Sequence, residues 1–401
     1  MKALLVTAVF PPQTGGSGRW FYELYRRLPR EQWLIAAGTY PGHEAFDQTH
    51  DLPLVRLPMQ FTTWGLLSRR GLAAYRRLVK ALLHLVREEH VTVLHAARSL
   101  PEGLAAWLVR WCSGGPYRLF VHGEELRIAA ASRELRFWAK RVLAGAEGLI
   151  ANSHNTARIL EEEWQVARPR ITVLHPGVDT QRFVPAPRDT AVRQRLGWAN
   201  RPVILTVGRL QERKGQDMLL RALPQVRCAV PDVLYVIVGE GERRGYLAQL
   251  VQELGLNEHV QFRGEPSDEE LVACYQQCDL FVLPNREVHG DLEGFGMVLV
   301  EAQACGKAVI AGASGGTAET LVDGQTGLVV DCRQPEPLAN AIVSLLTDHA
   351  RRAAMGQAAA RWARKAFAWE TLVKKAAREL SFSHDLSPDT DIALAATSPQ
   401  R

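Results

Sequence analysis

The chain has 401 residues, more than one hydrophobic core ordinarily serves, so two domains are expected. Hydrophobic residues make up 47% and charged residues 23%, the balance of a globular protein in water, and a net charge of +5 favours small anionic partners while being too mild for a nucleic-acid surface. No uninterrupted apolar run is long enough to cross a bilayer, and cysteines at 112, 228, 274, 278, 305 and 332 have neither metal-ligand nor disulfide-framework spacing, which fits a reducing cytoplasmic compartment.

The opening run, Lys2 to Phe10, carries one positive charge and a short apolar core before Pro11-Pro12, which reads as a buried strand and not as a secretory leader. Thr14-Gly15-Gly16-Ser17-Gly18 follows, then an amphipathic helix from about Arg19 to Leu28. Strand, glycine turn and helix together offer backbone N–H groups to a phosphate. The Gly-Gly-x-Gly spacing is not the dinucleotide fingerprint, no acid closes a second strand to hold an adenosine ribose, and a plain tight turn fits equally well.

In 64–90, Leu72, Tyr75, Val79, Leu82 and Val86 recur at helical spacing while Arg69, Arg76, Arg77, Lys80 and Arg87 gather on another face. This is either a surface helix with a solvated basic face or a dock for anionic lipid, with Trp64 and Leu66-Leu67 at the interface. Val91–His95 and Tyr117–Val121 read as strands, the second running into His122-Gly123-Glu124-Glu125. A histidine at the carboxyl end of such a strand occupies a ligand position, although a structural histidine bonded to a neighbouring loop fits as well. Glu124 and Glu125 read as acids of a helix N-terminus, with contacts to a bound substrate as the alternative. Gly148–Asn152 is a further strand, with Asn152 or Ser153 capping a helix through Glu163, and Ile171–Asp179 ends the first domain at Pro176-Gly177, placing a boundary near 184.

Pro202–Gly208 opens the second domain as a strand, followed by Arg209-Leu-Gln-Glu-Arg-Lys-Gly-Gln-Asp217. Arg209 at the strand's end and Lys214 before a helix starting near Gly215 could neutralise a diphosphate, with solvated loop charges as the alternative and Arg213 as a mere neighbour. Leu234–Val238 runs into Gly239-Glu240-Gly241-Glu242, Val260–Arg263 into Gly264, and Asp279–Pro284 into a loop that delivers Glu293. Glu293-Gly-Phe-Gly-Met-Val-Leu-Val-Glu301 then predicts a helix starting near Phe295 and stopping at Gly306, its first N–H groups unblocked beside Gly294 and Gly296. Eight residues at about 1.5 Å each span roughly 12 Å, so one helix could hold a nucleotide sugar at both ends, sugar and ribose. Either acid could instead be solvated, but Glu301 lies among apolar and small neighbours, where a charge needs a partner. Ala308–Ala311 reads as a strand, Asp323–Gly327 as a hairpin-like turn, and 362–380 as one helix with Phe367-Ala-Trp369 inside it.

Two glutamates with seven residues between them, before Ala302-Gln-Ala-Cys-Gly306, resemble the signature of glycosyltransferase family 4, retaining enzymes of the two-Rossmann-domain GT-B fold. Gly208-Arg-Leu-x-x-x-Lys-Gly215 and Pro176-Gly-Val-Asp179 are similar to further family elements, as is Ser314-Gly-Gly with Ala318-Glu319. The resemblance implies an α/β chain with an N-terminal acceptor-side domain at 1–184, a donor-binding domain at 185–366, a last helix at about 367–385 crossing back to the first domain, and a flexible tail at 386–401. It places Gly16 near the donor phosphate, the Glu240 and Arg263 turns around the nucleotide base, and His122 towards the transferred sugar. Arg209, Lys214 and the amides of Phe295, Gly296, Met297 and Val298 would then stabilise a departing nucleoside diphosphate, Glu301 would hold the ribose, and Glu293 with His122 would orient the sugar. No Asp-x-Asp motif is placed to hold a metal, so no metal and no other cofactor is expected. The His122-Gly-Glu and Leu292-Glu-Gly-Phe-Gly blocks look most like the mannosyltransferase branch that uses GDP-mannose. A glycan or lipid-linked acceptor is implied, which allows peripheral contact with an anionic membrane on its inner face. A nucleotide-sugar epimerase of the same fold, an NAD oxidoreductase and a non-catalytic nucleotide-sugar binder stand as alternatives.

Overall fold

The computed structural model describes residues 2–13 and 15–380, so Thr14, the end of the expected crossover helix and the expected tail lie outside the described residues. The first sheet is built from β1 (Ala3–Thr7), β2 (Trp33–Gly38), β3 (Leu54–Leu57), β4 (Val93–Ala96), β5 (Tyr117–Val121), β6 (Gly148–Ala151) and β7 (Ile171–Val173), in the order β3-β2-β1-β4-β5-β6-β7. The second holds β8 (Val203–Val207), β9 (Leu234–Val238), β10 (Val260–Phe262), β11 (Leu280–Leu283), β12 (Val309–Gly312) and β13 (Gly327–Val330), in the order β10-β9-β8-β11-β12-β13. Neighbouring strands in both sheets run parallel, from β1–β2 and β1–β4 to β8–β9 and β11–β8. Helices cover both faces, so the central strands are mostly apolar with every residue buried, as in Ala3–Thr7 and Val203–Val207. This is the expected α/β architecture of two Rossmann-like domains.

Three expectations about elements give way. The 362–380 stretch is two helices, His349–Phe367 and Trp369–Leu380, because Ala368 takes an extended conformation and bridges to Val178, whose N–H donates to the Phe367 carbonyl at 2.8 Å. That break turns the last helix onto the first sheet, where Trp369, Leu372, Ala376 and Leu380 are buried with Leu5, Phe21 and Phe120. Burial of a leucine such as Leu372 or Leu380 contributes about 1.5–3 kcal/mol relative to exposure, which ties the chain's end to its beginning. The turn before Gly327 is not a hairpin, since β13 pairs parallel with β12. The first helix starts at Gly16, inside the glycine loop.

Candidate active site

In each sheet the strand order reverses once, between β1 and β4 and between β8 and β11, and open parallel sheets bind ligands beyond the carboxyl ends of their strands at such a point. The segments leaving those ends are the glycine loop after β1, residues 208–215 after β8, and residues 284–296 after β11. The two switch points face each other. A Cβ added to Gly294 would stand 2.7 Å from the His122 carbonyl oxygen, and one added to Gly16 would stand 3.8 Å from the Met297 sulfur. Glycine loop, His122 and the helix Met297–Ala304 therefore line one crevice between the domains.

Lys214 and Glu293 meet in that crevice, Nζ to Oε2 at 2.5 Å, and Arg213 Nη1 reaches the same oxygen at 2.5 Å. Gly215 makes the approach possible. It sits in the left-handed region at φ 74°, and a Cβ there would lie 1.8 Å from the Pro284 carbonyl oxygen, so only glycine lets the cation loop run against the strand that delivers Glu293. Burial alone would push the Glu293 carboxyl up, but the two cations hold it down at about 2, so it is ionised at neutral pH. Burial lowers the Lys214 ammonium from its ordinary value, with Glu293 opposing the shift. Arg213 is more than a neighbour: it is buried, pairs with Asp291 at 3.1 Å, and lies 3.8 Å from Glu124 of the first domain. Arg209 is exposed, and its side chain has no ion partner among the described residues.

The helix that follows starts at Met297, two residues later than expected, because Gly296 at φ 92° is its left-handed cap. Phe295 lies before it and is buried, its ring stacked on His175 at 5.2 Å. Helix geometry leaves the first N–H groups of such a segment without intrahelical acceptors. Within the helix Glu301 is 3% exposed, which settles its environment: the Tyr275 hydroxyl donates to Oε2 at 2.7 Å, and Arg19 of the first domain pairs with Oε1 at 3.0 Å. Sequence reasoning missed both partners. Neither lies near Glu301 in the chain, and no pattern marked Arg19 beyond its place after the glycine loop.

On the first domain, the His122 Nε2–H donates to the Ala97 carbonyl at 2.8 Å, and Trp20 and Phe21 pack edge-on against the ring. Burial lowers its pKa to about 4, so the ring is neutral with Nδ1 left as acceptor. Glu124 and Glu125 occupy the first turn of the helix Glu124–Ala130, as the sequence suggested. Glu125 accepts from the His122 backbone N–H at 3.1 Å, and burial pushes its carboxyl up to about 7. Two expected donor contacts are not brought to this cluster by their side chains. Arg263 donates to the Leu196 carbonyl at 2.8 Å and pairs with Glu270, and Glu240 is exposed beside Gly264 on the turn after β9.

Residues 14–182 match the model of Glycosyltransferase Family 4, and residues 189–362 match that of Glycosyl transferases group 1. A GDP-mannose-dependent alpha-(1-6)-phosphatidylinositol monomannoside mannosyltransferase of Mycolicibacterium smegmatis is 34% identical over 94% of this chain and 98% of its own. The chain belongs to glycosyltransferase family 4. A second family member, the GDP-mannose-dependent monoacylated alpha-(1-6)-phosphatidylinositol monomannoside mannosyltransferase of Corynebacterium glutamicum, is 32% identical over 92% of this chain and 95% of its own. Among solved structures, Anabaena HepE in complex with UDP superposes with a TM-score of 0.81 at 24% identity, covering 95% of this chain and 99% of that one, which confirms the GT-B fold. As a family 4 glycosyltransferase, the protein carries its cation pair and its buried helix glutamate on the second domain, and its histidine and glycine loop on the first.

Proposed function

We propose that this chain is a retaining glycosyltransferase that moves a hexosyl group, mannose from GDP-mannose in the favoured reading, to a hydroxyl of a glycan or lipid-linked acceptor without a metal ion. The observation that carries the proposal is the convergence of Lys214, Arg213 and Glu293 beside the N-terminus of the Met297–Ala304 helix, opposite His122 across the crevice. The names of the similar mannosyltransferases support the donor and a phosphatidylinositol-linked acceptor.

In this reading the donor's diphosphate lies against the helix N-terminus, where oriented N–H groups and the helix dipole favour negative charge. Arg209 and Lys214 neutralise the charge that builds up as the sugar–phosphate bond breaks, and fixed cations stabilise that transition state more than the ground state. Arg213 keeps Glu293 anchored when Lys214 turns to the phosphate. Glu301 keeps Tyr275 and Arg19 on one lone pair of each oxygen and offers the rest to the ribose hydroxyls. His122 accepts a sugar hydroxyl at Nδ1, and Glu293 fixes the sugar from the other side while the acceptor hydroxyl attacks the face the diphosphate leaves and passes its proton to the departing phosphate oxygen. Gly16 lets the first-domain loop approach without a side chain in the way.

Peripheral membrane contact, on the cytoplasmic face, belongs to the same proposal. No described helix is long and apolar enough to cross a membrane. The helix Arg69–Glu88 buries Tyr75, Leu78, Leu82 and Leu85 and turns its basic residues outward, while Leu67 is 84% exposed and Arg70 and Arg77 line a surface cavity of about 240 Å³.

The test is transfer from labelled GDP-mannose to a phosphatidylinositol mannoside in EDTA, with the product's anomeric configuration read by NMR. An α-linked product formed at an undiminished rate supports the reading. A β-linked product, or a complete loss of rate in EDTA restored by manganese, overturns it, and release of a free epimer without acceptor points to the epimerase.

A further inference from the structure

Away from the residues assigned to the donor, His154, His175 and Glu319 bring two imidazoles and a carboxylate together, with one ligand atom from each lying within 4.8 Å of the other two. His154 opens the helix after β6, His175 follows β7, and Glu319 lies on the short turn Thr317–Thr320 of the second domain, so the trio straddles the seam between the domains. We infer that these three side chains form a binding site for a divalent cation of the zinc class, which fastens the two domains together at that seam.

The geometry is close to what such an ion needs. A tetrahedral zinc with bonds of about 2.0–2.1 Å holds its ligand atoms roughly 3.4 Å apart. His175 Nε2 and Glu319 Oε2 are already 3.0 Å apart, so closure needs only a small swing of His154, whose exposed ring meets the His175 ring edge-on at 5.5 Å. The other two ligands are held in place. Glu319 accepts from the backbone N–H groups of His154 and Asn155, each at 2.7 Å, and the His175 ring lies stacked on Phe295 with its edge towards Phe367. Such outer supports orient metal ligands and raise affinity.

Donor type points the same way. Two nitrogens and one oxygen suit zinc, cobalt or nickel, whereas magnesium and calcium prefer sites built of oxygen alone. Without the ion, Glu319 crosses the seam through hydrogen bonds alone, from the His175 ring and from the His154 and Asn155 backbone N–H groups. With it, residues from both domains share one centre, and separating the domains must break coordination bonds.

This inference stands apart from the proposed transfer reaction, since none of the three side chains is assigned to donor or acceptor. The experiment uses the full chain, stripped of metal and kept in a reductant that does not bind metals, titrated with zinc by calorimetry and followed by thermal denaturation. One saturable zinc per chain is expected, with a rise of several degrees in Tm at zinc concentrations about a hundredfold above Kd. Magnesium at the same concentration should leave Tm unchanged, and cobalt(II) should give visible absorption bands of a low-coordinate site. His154→Ala removes an exposed side chain, so the fold is retained, and it should weaken zinc binding at least tenfold and abolish the cobalt bands; Glu319→Gln should do the same. Absence of saturable zinc binding, zinc binding unchanged in His154→Ala, or an equal Tm shift with magnesium overturns the assignment.

Discussion

Lys214→Met separates the two tasks given to the lysine. Methionine retains most of the side-chain volume and removes the charge, and Lys214 is 8% exposed, with Nζ 2.5 Å from Glu293 Oε2. A buried carboxylate left alone would cost about 3–5 kcal/mol, but Glu293 keeps Arg213 on the same oxygen, so the expected loss of stability is closer to ~1–3 kcal/mol. The effect on catalysis should be larger. Removing one charged donor from a site where transition-state charge develops lowers kcat by about 10²–10³, or roughly 3–4 kcal/mol. Initial rates with GDP-mannose and GDP binding by calorimetry give the two readouts, and repeating both in a Glu293→Gln background decides the cause. If Lys214 served only to hold Glu293, its removal there would cost nothing further. If it neutralises phosphate, the double variant falls roughly another hundredfold below Glu293→Gln. A change in kcat of less than threefold, with GDP affinity unaltered, would refute the role.

The low pKa of Glu293 sets the sign of one pH effect: a carboxyl depressed from 4.5 to about 2 contributes stability that is present above pH 4.5 and lost as the pH falls through about 2. Urea midpoints measured from pH 7 down to pH 3 should therefore decline less steeply in Glu293→Gln than in the parent, and parallel profiles would count against the ion pairs. Gly215→Ala forces a side chain into a left-handed position 1.8 Å from the Pro284 carbonyl oxygen, so a loss of about 2–4 kcal/mol is expected in chemical denaturation, and an unchanged midpoint would contradict the geometry. Tyr275→Phe strips Glu301 of a buried donor, which should cost about 1–3 kcal/mol of stability, and differential scanning calorimetry showing none would mean that the hydroxyl is not where the structure puts it.

Much of this molecule could be read from its sequence because parallel strands buried on both faces appear as short apolar runs, and β1, β5, β8, β9 and β11 all read that way. Leu54–Leu57 is an edge strand of half-buried residues, carries Arg56 inward to the Asp47 carboxylate and the Pro11 carbonyl, and offers no such run. Cap positions were less legible than elements: Gly296 displaced the helix start to Met297 because a left-handed glycine ends a loop as readily as it begins one. Among candidate residues, those on the two loops leaving β8 and β11 could be found because strand ends at a reversal of sheet order are where ligands bind. Arg213 could not be separated from a solvated charge until its burial was known, and Arg19 and Tyr275 come from sequence positions that only the tertiary fold brings to Glu301.

The burial of these charges bears on how the crevice is prepared for an anion. Taking Lys214, Arg213, Glu293 and Glu301 out of water is costly, and the structure offsets the cost by closing each charge onto a partner: Glu293 onto two cations, Glu301 onto Arg19 and Tyr275. Arg209 is exposed, with no ion partner among the described residues. In the proposed reaction an incoming diphosphate would meet the exposed Arg209 and then displace Glu293 from Lys214, while Arg213 keeps the carboxylate paired. Two of these links, Arg19 to Glu301 and Arg213 to Glu124, also cross between the domains. The same side chains thus balance charge inside the crevice and link the domains, so a charge change at Glu301 should alter both donor affinity and the freedom of the two halves to move.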